Sequence, residues 1–255
     1  MAGPQTRRPA LAGFVPRDRV RTLQVPRPPA DLIRRFQELV DLAGLVSRVL
    51  DRLGVAGAIP AHLLAPIAGG QRVVGPAITV RNVPDRFVPH RKWQRREPTL
   101  MGEREAYFVG LPGDVIVIDG GGRMAASNLG AHSARAALAL GCAGAIVDGP
   151  VTGVAEIAAS GYPVWARGST TITGNHRVET VEINGVVSCG GVQVRPGDLI
   201  VADDQGVAVV PLELAAEIGK ICVEQERVAR ESRSAGRRTS SRAMKRFLQR
   251  VARRS

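Results

Sequence analysis

The sequence predicts a mixed α/β domain, and three observations carry that expectation. Residues 113–153 read as strand, glycine-rich loop, helix and strand in succession, and strands joined by a helical crossover run parallel. Downstream, short apolar runs are separated by Pro-Gly-Asp and Asp-Asp-Gln-Gly turns, the mark of antiparallel hairpins. The last run leads into a single helix-forming segment that reaches Arg230. One strong crossover followed by hairpins and a closing helix fits a mixed α/β or α+β architecture.

In chain order, Asp31 to Leu53 carries apolar residues at helical spacing, including Leu32, Phe36, Leu39, Val40, Val46 and Leu50, with a bend expected near Gly44. A turn-rich connection follows over 56–66. Residues 72–80 read as a strand interrupted by Gly75-Pro76, hence an edge or a bulge. Residues 84–98 hold three prolines, many charges and no period, and read as a loop that contains His90 and Trp93. Thr99 to Val109 reads as a short helix. The unbroken run Val115-Ile116-Val117-Ile118 predicts a strand buried on both faces. Asp119 and Gly120 to Gly122 turn sharply, Ala131 to Leu140 favour helix, and Gly141 ends it. The next strand is expected over Ala145 to Val147, ending at Asp148-Gly149-Pro150, with a helix from Val154 to Ala159 beyond it. Binding loops collect at the C-terminal ends of parallel strands, so a site is expected between the loops 119–130 and 148–153.

Charge divides the chain. The net +12 splits into +5 over residues 1–27, +10 over 227–255 and −3 over 28–226. Residues 1–30 contain six prolines and no periodic apolar face, which predicts an extended, disordered arm. A domain over 31–230 and a basic tail over 231–255 complete the expected organisation. Within the tail, Met244, Phe247, Leu248 and Val251 recur at helical spacing, so it reads as an amphipathic helix for nucleic acid or another acidic partner, or as a solvated end. Three widely spaced cysteines, Cys142, Cys189 and Cys222, argue against a disulfide framework or zinc site and suit a reducing cytoplasm. No run approaches the twenty apolar residues of a membrane span, and no apolar segment at the N-terminus reads as a secretory signal.

The blocks DGGG, NLG and AALALGCAGAIVDGPV, then YPVWARG, then GGVQVRPGDLIVADDQGVAVVP resemble the RraA-like family of ribonuclease E regulators and 4-hydroxy-4-methyl-2-oxoglutarate aldolases. The resemblance covers roughly residues 31–230. It implies a β/α sandwich assembled as a homotrimer or hexamer with sites between subunits. It also implies a signature of an Asp at a helix start and, after twenty residues, Arg-Asp. There the Arg holds the 2-oxo acid carboxylate and enolate, and the acids support magnesium or manganese. In this chain the three positions are Ala131, Thr152 and Gly153.

Retro-aldol cleavage builds negative charge on an enolate oxygen, and these three residues supply no charge to meet it or to hold a hard cation. What remains is the helix start Gly130-Ala131-His132-Ser133, whose amides suit an anion. Arg123, in the preceding loop, is the candidate to replace the missing cation, and His132 the candidate general acid or base, against the alternative that His132 simply faces solvent. Asp119 and Asp148 are the remaining candidates for a metal, against the alternative that they cap their own turns. Asp203 and Asp204 are read as shaping a hairpin. Two functions stay open: a divergent lyase, aldolase- or decarboxylase-like, for a small 2-oxo or hydroxy acid; or a non-catalytic regulator that binds a protein or RNA partner through the trimer surface and the basic tails.

Overall fold

A computed structural model of the chain describes residues 9–231. The helices are α1 Ala30–Gln37, α2 Leu42–Arg52, α3 Pro89–Gln94, α4 Glu103–Val109, α5 Ala131–Ala139, α6 Val154–Ser160 and α7 over 215–231. The strands are β1 Ala58–Pro60, β2 Ala65–Pro66, β3 Val73–Pro84, β4 Val115–Asp119, β5 Leu129–Gly130, β6 Gly144–Thr152, β7 Val164–Ser169, β8 Val178–Ile183, β9 Val187–Cys189, β10 Val192–Val194, β11 Leu199–Asp203 and β12 Gly206–Val210. Ten of them form one sheet with the order β1-β12-β11-β3-β4-β6-β7-β2, while β5 pairs with β6 and β8 with β3. The centre, β3-β4-β6-β7, is parallel. The β11–β12 hairpin extends it antiparallel, and β9–β10 form a separate ribbon. The mixed α/β class is as the sequence predicts.

Strand β4 explains the layering. Its Ile116 and Ile118 point into a core built with Ala106, Tyr107 and Val109 of α4, Ala134 and Ala137 of α5 and Ile157 of α6. Its Val115 and Val117 point the other way, into a core with Trp165, the β9–β10 ribbon and the inner residues of β11 and β12. Each fully buried aliphatic of this kind contributes roughly 1.5–3 kcal/mol, so an unbroken β-branched run is what a strand covered on both faces requires. A third cluster packs α1, α2 and α7 against Leu199, Val201, Ala208 and Val210. All three cysteines are buried, and burial pushes the Cys222 thiol up to about 12.

Several boundaries differ from expectation. The first helical stretch breaks at 38–41 instead of at Gly44, leaving Val40 exposed. Gly75-Pro76 lies in a central strand: β3 pairs with β11 up to Pro76 and with β4 from Ala77 onward, so the residue without an N–H stands where the strand changes partner. A Cβ on Gly75 would meet Gly113 O at 2.2 Å, which explains the glycine. Strand β6 runs on through Asp148-Gly149-Pro150, because Val151 and Thr152 find new partners in Leu129 and Gly130. The stretch read as a loop at 84–98 contains α3, where Trp93 meets His176 edge-on at 6.2 Å.

The largest correction concerns the N-terminal arm. Residues 9–30 lie against the domain. Val15, Val20 and Val25 are buried, and Val20 bridges Ile183 of β8. The amides of Ala12 and Phe14 each donate to the Glu105 carboxylate at 2.6 Å, Arg19 pairs with Glu179 at 2.6 Å, and Arg27 grips buried Asp114 with two nitrogens at 3.0 and 2.6 Å. A strap that fills separate gaps with single valines and pairs its arginines with acids needs no periodic apolar face, so pattern alone does not reveal it. The tail residues from 232 on, with the expected amphipathic helix through Met244, Phe247, Leu248 and Val251, lie outside the described residues, as do residues 1–8. Among the described residues no helix is long and apolar enough to cross a membrane.

Candidate active site

The site grows from the β5–α5 junction. Leu129 and Gly130 pair in parallel with Val151 and Thr152, which sets the start of α5 beside the start of α6. A Cβ on Gly130 would lie 3.2 Å from Thr152 Oγ1, and one on Gly153 only 2.8 Å from the Ala131 Cβ. Positions 131, 152 and 153, the first separated from the other two by twenty intervening residues, are thus brought together in space. Gly153 adopts φ 75° at the N-cap of α6, a conformation that favours glycine. No side chain caps α5, so its first-turn amides retain the partial positive charge of a helix start.

These residues open on a pocket of about 450 Å³, and Gly130, Ala131, His132, Ser133, Thr152 and Gly153 all line it. His132 is exposed, and its Nδ1 lies 3.0 Å from the Arg135 guanidinium, which in turn pairs with Glu156 at 2.8 Å. Since the guanidinium only donates, Nδ1 is the acceptor in this contact.

Arg123 is not brought to this pocket. It borders a separate cavity of about 50 Å³ together with Asn82, Asn128 and Arg177. The loop 120–128 turns back over β6 instead, because Gly122 N bonds Asp148 O and Asn128 N bonds Pro150 O. Asp119 accepts from Gly121 N at 2.8 Å in its own turn and from Ser188 N at 3.2 Å. Asp148 pairs with Arg167 and accepts from Gly190 N at 3.0 Å. Both aspartates are thereby occupied by backbone and guanidinium partners. Asp203 accepts from Gln205 N at 2.9 Å at the β11–β12 turn and from Ala43 N at 2.9 Å, while Asp204 reaches Gly70 N at 2.8 Å.

Three charged side chains that sequence reasoning passed over line the pocket: Glu103 and Arg104 at the start of α4, and Glu156 on α6. Glu103 is 4% exposed. Its Oε1 accepts from Ser133 Oγ at 2.5 Å, and its Oε2 has no hydrogen-bond partner. Burial, only partly offset by the Ser133 bond and by the residue's own backbone amide, raises its carboxyl above the ordinary range. Arg104 extends over the Phe14 ring at 6.0 Å, so the N-terminal strap also forms part of the wall. A chain of hydrogen bonds ties the start of α4, through β8 and β3, to the residue before β5. Gly102 N donates to Thr180 Oγ1 (2.8 Å), Thr180 Oγ1 to Asn82 Oδ1 (2.7 Å), and Asn82 Nδ2 to Asn128 Oδ1 (3.0 Å). The available signal for Glu103 was an acidic residue next to a glycine at a helix start. Such residues usually serve the helix dipole, and nothing in the pattern showed that this one is buried.

A divalent metal at the family position does not fit these residues. The three positions offer a methyl group, a hydroxyl and no side chain. Of the two carboxylates in the pocket wall, Glu103 is bonded to Ser133 and Glu156 to Arg135. Among the described residues, no three His, Cys, Asp or Glu side chains converge in a group suited to a metal ion.

Comparison with known proteins agrees with this architecture. A protein of Halalkalibacterium halodurans that carries the provisional name 4-hydroxy-4-methyl-2-oxoglutarate aldolase is 36% identical over 148 residues, 58% of this chain and 64% of that protein. DlpA of Legionella pneumophila is 29% identical over 185 residues, 72% of this chain but only 28% of that longer protein. Among solved structures, Streptomyces coelicolor RraAS2, described as an unusual member of the RNase ES inhibitor RraA protein family, superposes with a TM-score of 0.68 at 27% identity, covering 82% of this chain and 99% of that one. The model of the family described as RraA-like, Aldolase/RraA, matches residues 41–209, a span that contains β5, α5, β6 and the pocket lining other than Phe14. The chain therefore belongs to the RraA-like family.

Proposed function

We propose that the chain is a divergent carbon–carbon lyase, aldolase- or decarboxylase-like, acting on a small 2-oxo or hydroxy acid. One observation supports it above the others: the positions of the lost signature still converge on an open pocket of about 450 Å³ at an uncapped helix start. A carboxylate suits the first-turn amides of α5, and the Arg104 guanidinium stands in the same wall. These donors meet the negative charge on substrate and enolate, a task to which Thr152 brings no charge. The name of the Halalkalibacterium halodurans relative points to the same substrate class. Assembly as a homotrimer or hexamer goes with this reading, and light scattering of the purified chain measures it.

The test is release of pyruvate from oxaloacetate and from 4-hydroxy-4-methyl-2-oxoglutarate by the full chain, in chelator and with added magnesium or manganese. Turnover of either substrate supports a lyase. Failure of both, together with no detectable binding of pyruvate, refutes it.

A second reading is favoured by a separate observation, the +5 and +10 concentrated at the two ends of an otherwise acidic chain. There the protein binds an RNA through its basic ends, and RraAS2 offers a relative whose family is described by RNase inhibition. Such binding weakens steeply with salt, so salt-insensitive or absent RNA binding by the full chain counts against it.

A further inference from the structure

The Ser133–Glu103 contact is unusual for a pocket wall. Ser133 is the third residue of α5 and 5% exposed, Glu103 is 4% exposed, and both line the cavity. The hydroxyl donates to Oε1 at 2.5 Å, and no second side chain donates to Oε2. A buried carboxylate held by one side-chain hydrogen bond is a strong proton acceptor, because that bond, its own backbone amide and the Arg104 charge only partly offset its burial. A hydroxyl that donates to such a group has lone pairs left to receive a proton from elsewhere. The other proton-transfer candidates in the wall are already engaged: His132 is exposed and meets Arg135 through Nδ1, and Glu156 pairs with the same guanidinium.

We propose that Ser133 and Glu103 form a metal-independent proton relay for a 4-hydroxy-2-oxo acid bound in this pocket. Ser133 Oγ takes the proton of the substrate hydroxyl as its own proton passes to Glu103 Oε1. The C3–C4 bond breaks: C4 becomes a carbonyl, and the electron pair moves into the enolate of the 2-oxo acid fragment. The first-turn amides of α5 meet the charge on the enolate oxygen. The proton then returns from Glu103 through Ser133 to C3, giving pyruvate or its homologue. One proton moves from oxygen to carbon, one carbon–carbon bond is lost, and no oxidant, reductant or cation enters the balance.

The relay rests on the lyase reading, and the test separates the two. The full chain is incubated with pyruvate in D2O with chelator, and loss of the methyl proton signal is followed by NMR. This exchange needs only the second half of the cycle, run in reverse and forward. Binding of pyruvate and of oxalate, a mimic of the enolate, is measured separately by calorimetry. Wild type is expected to bind both and to exchange the methyl protons. Glu103→Gln and Ser133→Ala are expected to lower exchange by about a hundredfold or more with pyruvate affinity changed by no more than about threefold. Wild type that neither binds nor exchanges overturns the lyase reading and the relay with it. Wild type that binds and exchanges, with both variants unimpaired, overturns the relay alone. Exchange that appears only after magnesium is added also overturns the relay. Circular dichroism checks each fold, and if Glu103→Gln does not fold, Ser133→Ala carries the decision.

Discussion

Restoring the family signature by Ala131→Asp, Thr152→Arg and Gly153→Asp is expected to destabilise the protein before it helps catalysis. Gly153 holds φ 75°, and an L side chain there costs roughly 1–2 kcal/mol, less for Asp than for bulkier residues. The new Cβ would sit 2.8 Å from that of residue 131, and relieving such an overlap costs about 1–3 kcal/mol. The carboxylate that Ala131→Asp places at the helix start recovers about 0.3–1 kcal/mol from the dipole, but two carboxylates in contact repel. The sum is a loss of about 2–4 kcal/mol without metal, read from urea denaturation. If magnesium binds the new carboxylates, it returns stability in proportion to the logarithm of its concentration. A triple variant within about 0.5 kcal/mol of wild type in chelator would refute the reasoning from the Gly153 backbone. Stability that does not respond to magnesium, with no gain in pyruvate release, would count against the equivalence of these three positions with the signature.

Two further outcomes follow from the packing. Arg27→Ala leaves the Asp114 carboxylate, 1% exposed, without its guanidinium, a change expected to cost about 2–4 kcal/mol in urea denaturation, given that Arg27 itself is partly exposed; a loss below about 0.5 kcal/mol would mean the strap is not docked. Glu103 has its folded-state pKa raised by burial, so its contribution is fully present below the ordinary glutamate pKa and is lost as pH rises through the folded value. The groups that act on it are Arg104 and Tyr107 on α4 and Ser133 on α5. Wild type should therefore lose stability relative to Glu103→Gln as pH rises above the ordinary carboxylate range, and parallel pH curves for the two proteins would contradict this.

What the sequence disclosed depended on whether the signal was local. The run Val115 to Ile118 announced a doubly buried strand, because burial on both faces removes the polar alternation. The β11–β12 hairpin and the α5 stop at Gly141 were legible for similar reasons of turn chemistry. The place of the pocket was legible too, since strand ends and a helix start put loops there. Partner choice was not. Gly75-Pro76 looked like an edge because proline cannot donate, and only the switch from β11 to β4 shows how a central strand accommodates it. Arg123 looked close to the helix start in sequence, but the loop folds back onto β6. Glu103 and the valines of the N-terminal strap escaped notice because their burial comes from residues about thirty to one hundred and sixty positions away.

Electrostatics gives the reason to expect anion binding by the pocket without the signature. Two aspartates, one arginine and a divalent cation together sum to a net charge of about +1, while Ala131, Thr152 and Gly153 without a metal sum to zero. The difference in long-range field is about one unit, and roughly half a unit remains from the α5 dipole, with Arg104 adding its own charge from α4. Binding of a small acid is therefore expected to survive the loss better than turnover does. A cation in contact with the enolate oxygen stabilises it most, whereas amides at a helix start meet that oxygen with partial charges only, so turnover through the relay is expected to be slow. A slow enzyme that binds its substrate well and a binding protein descended from an enzyme would look alike in affinity. They differ in whether a bound 2-oxo acid exchanges its protons, which is why exchange at the Ser133–Glu103 pair is the measurement that separates them.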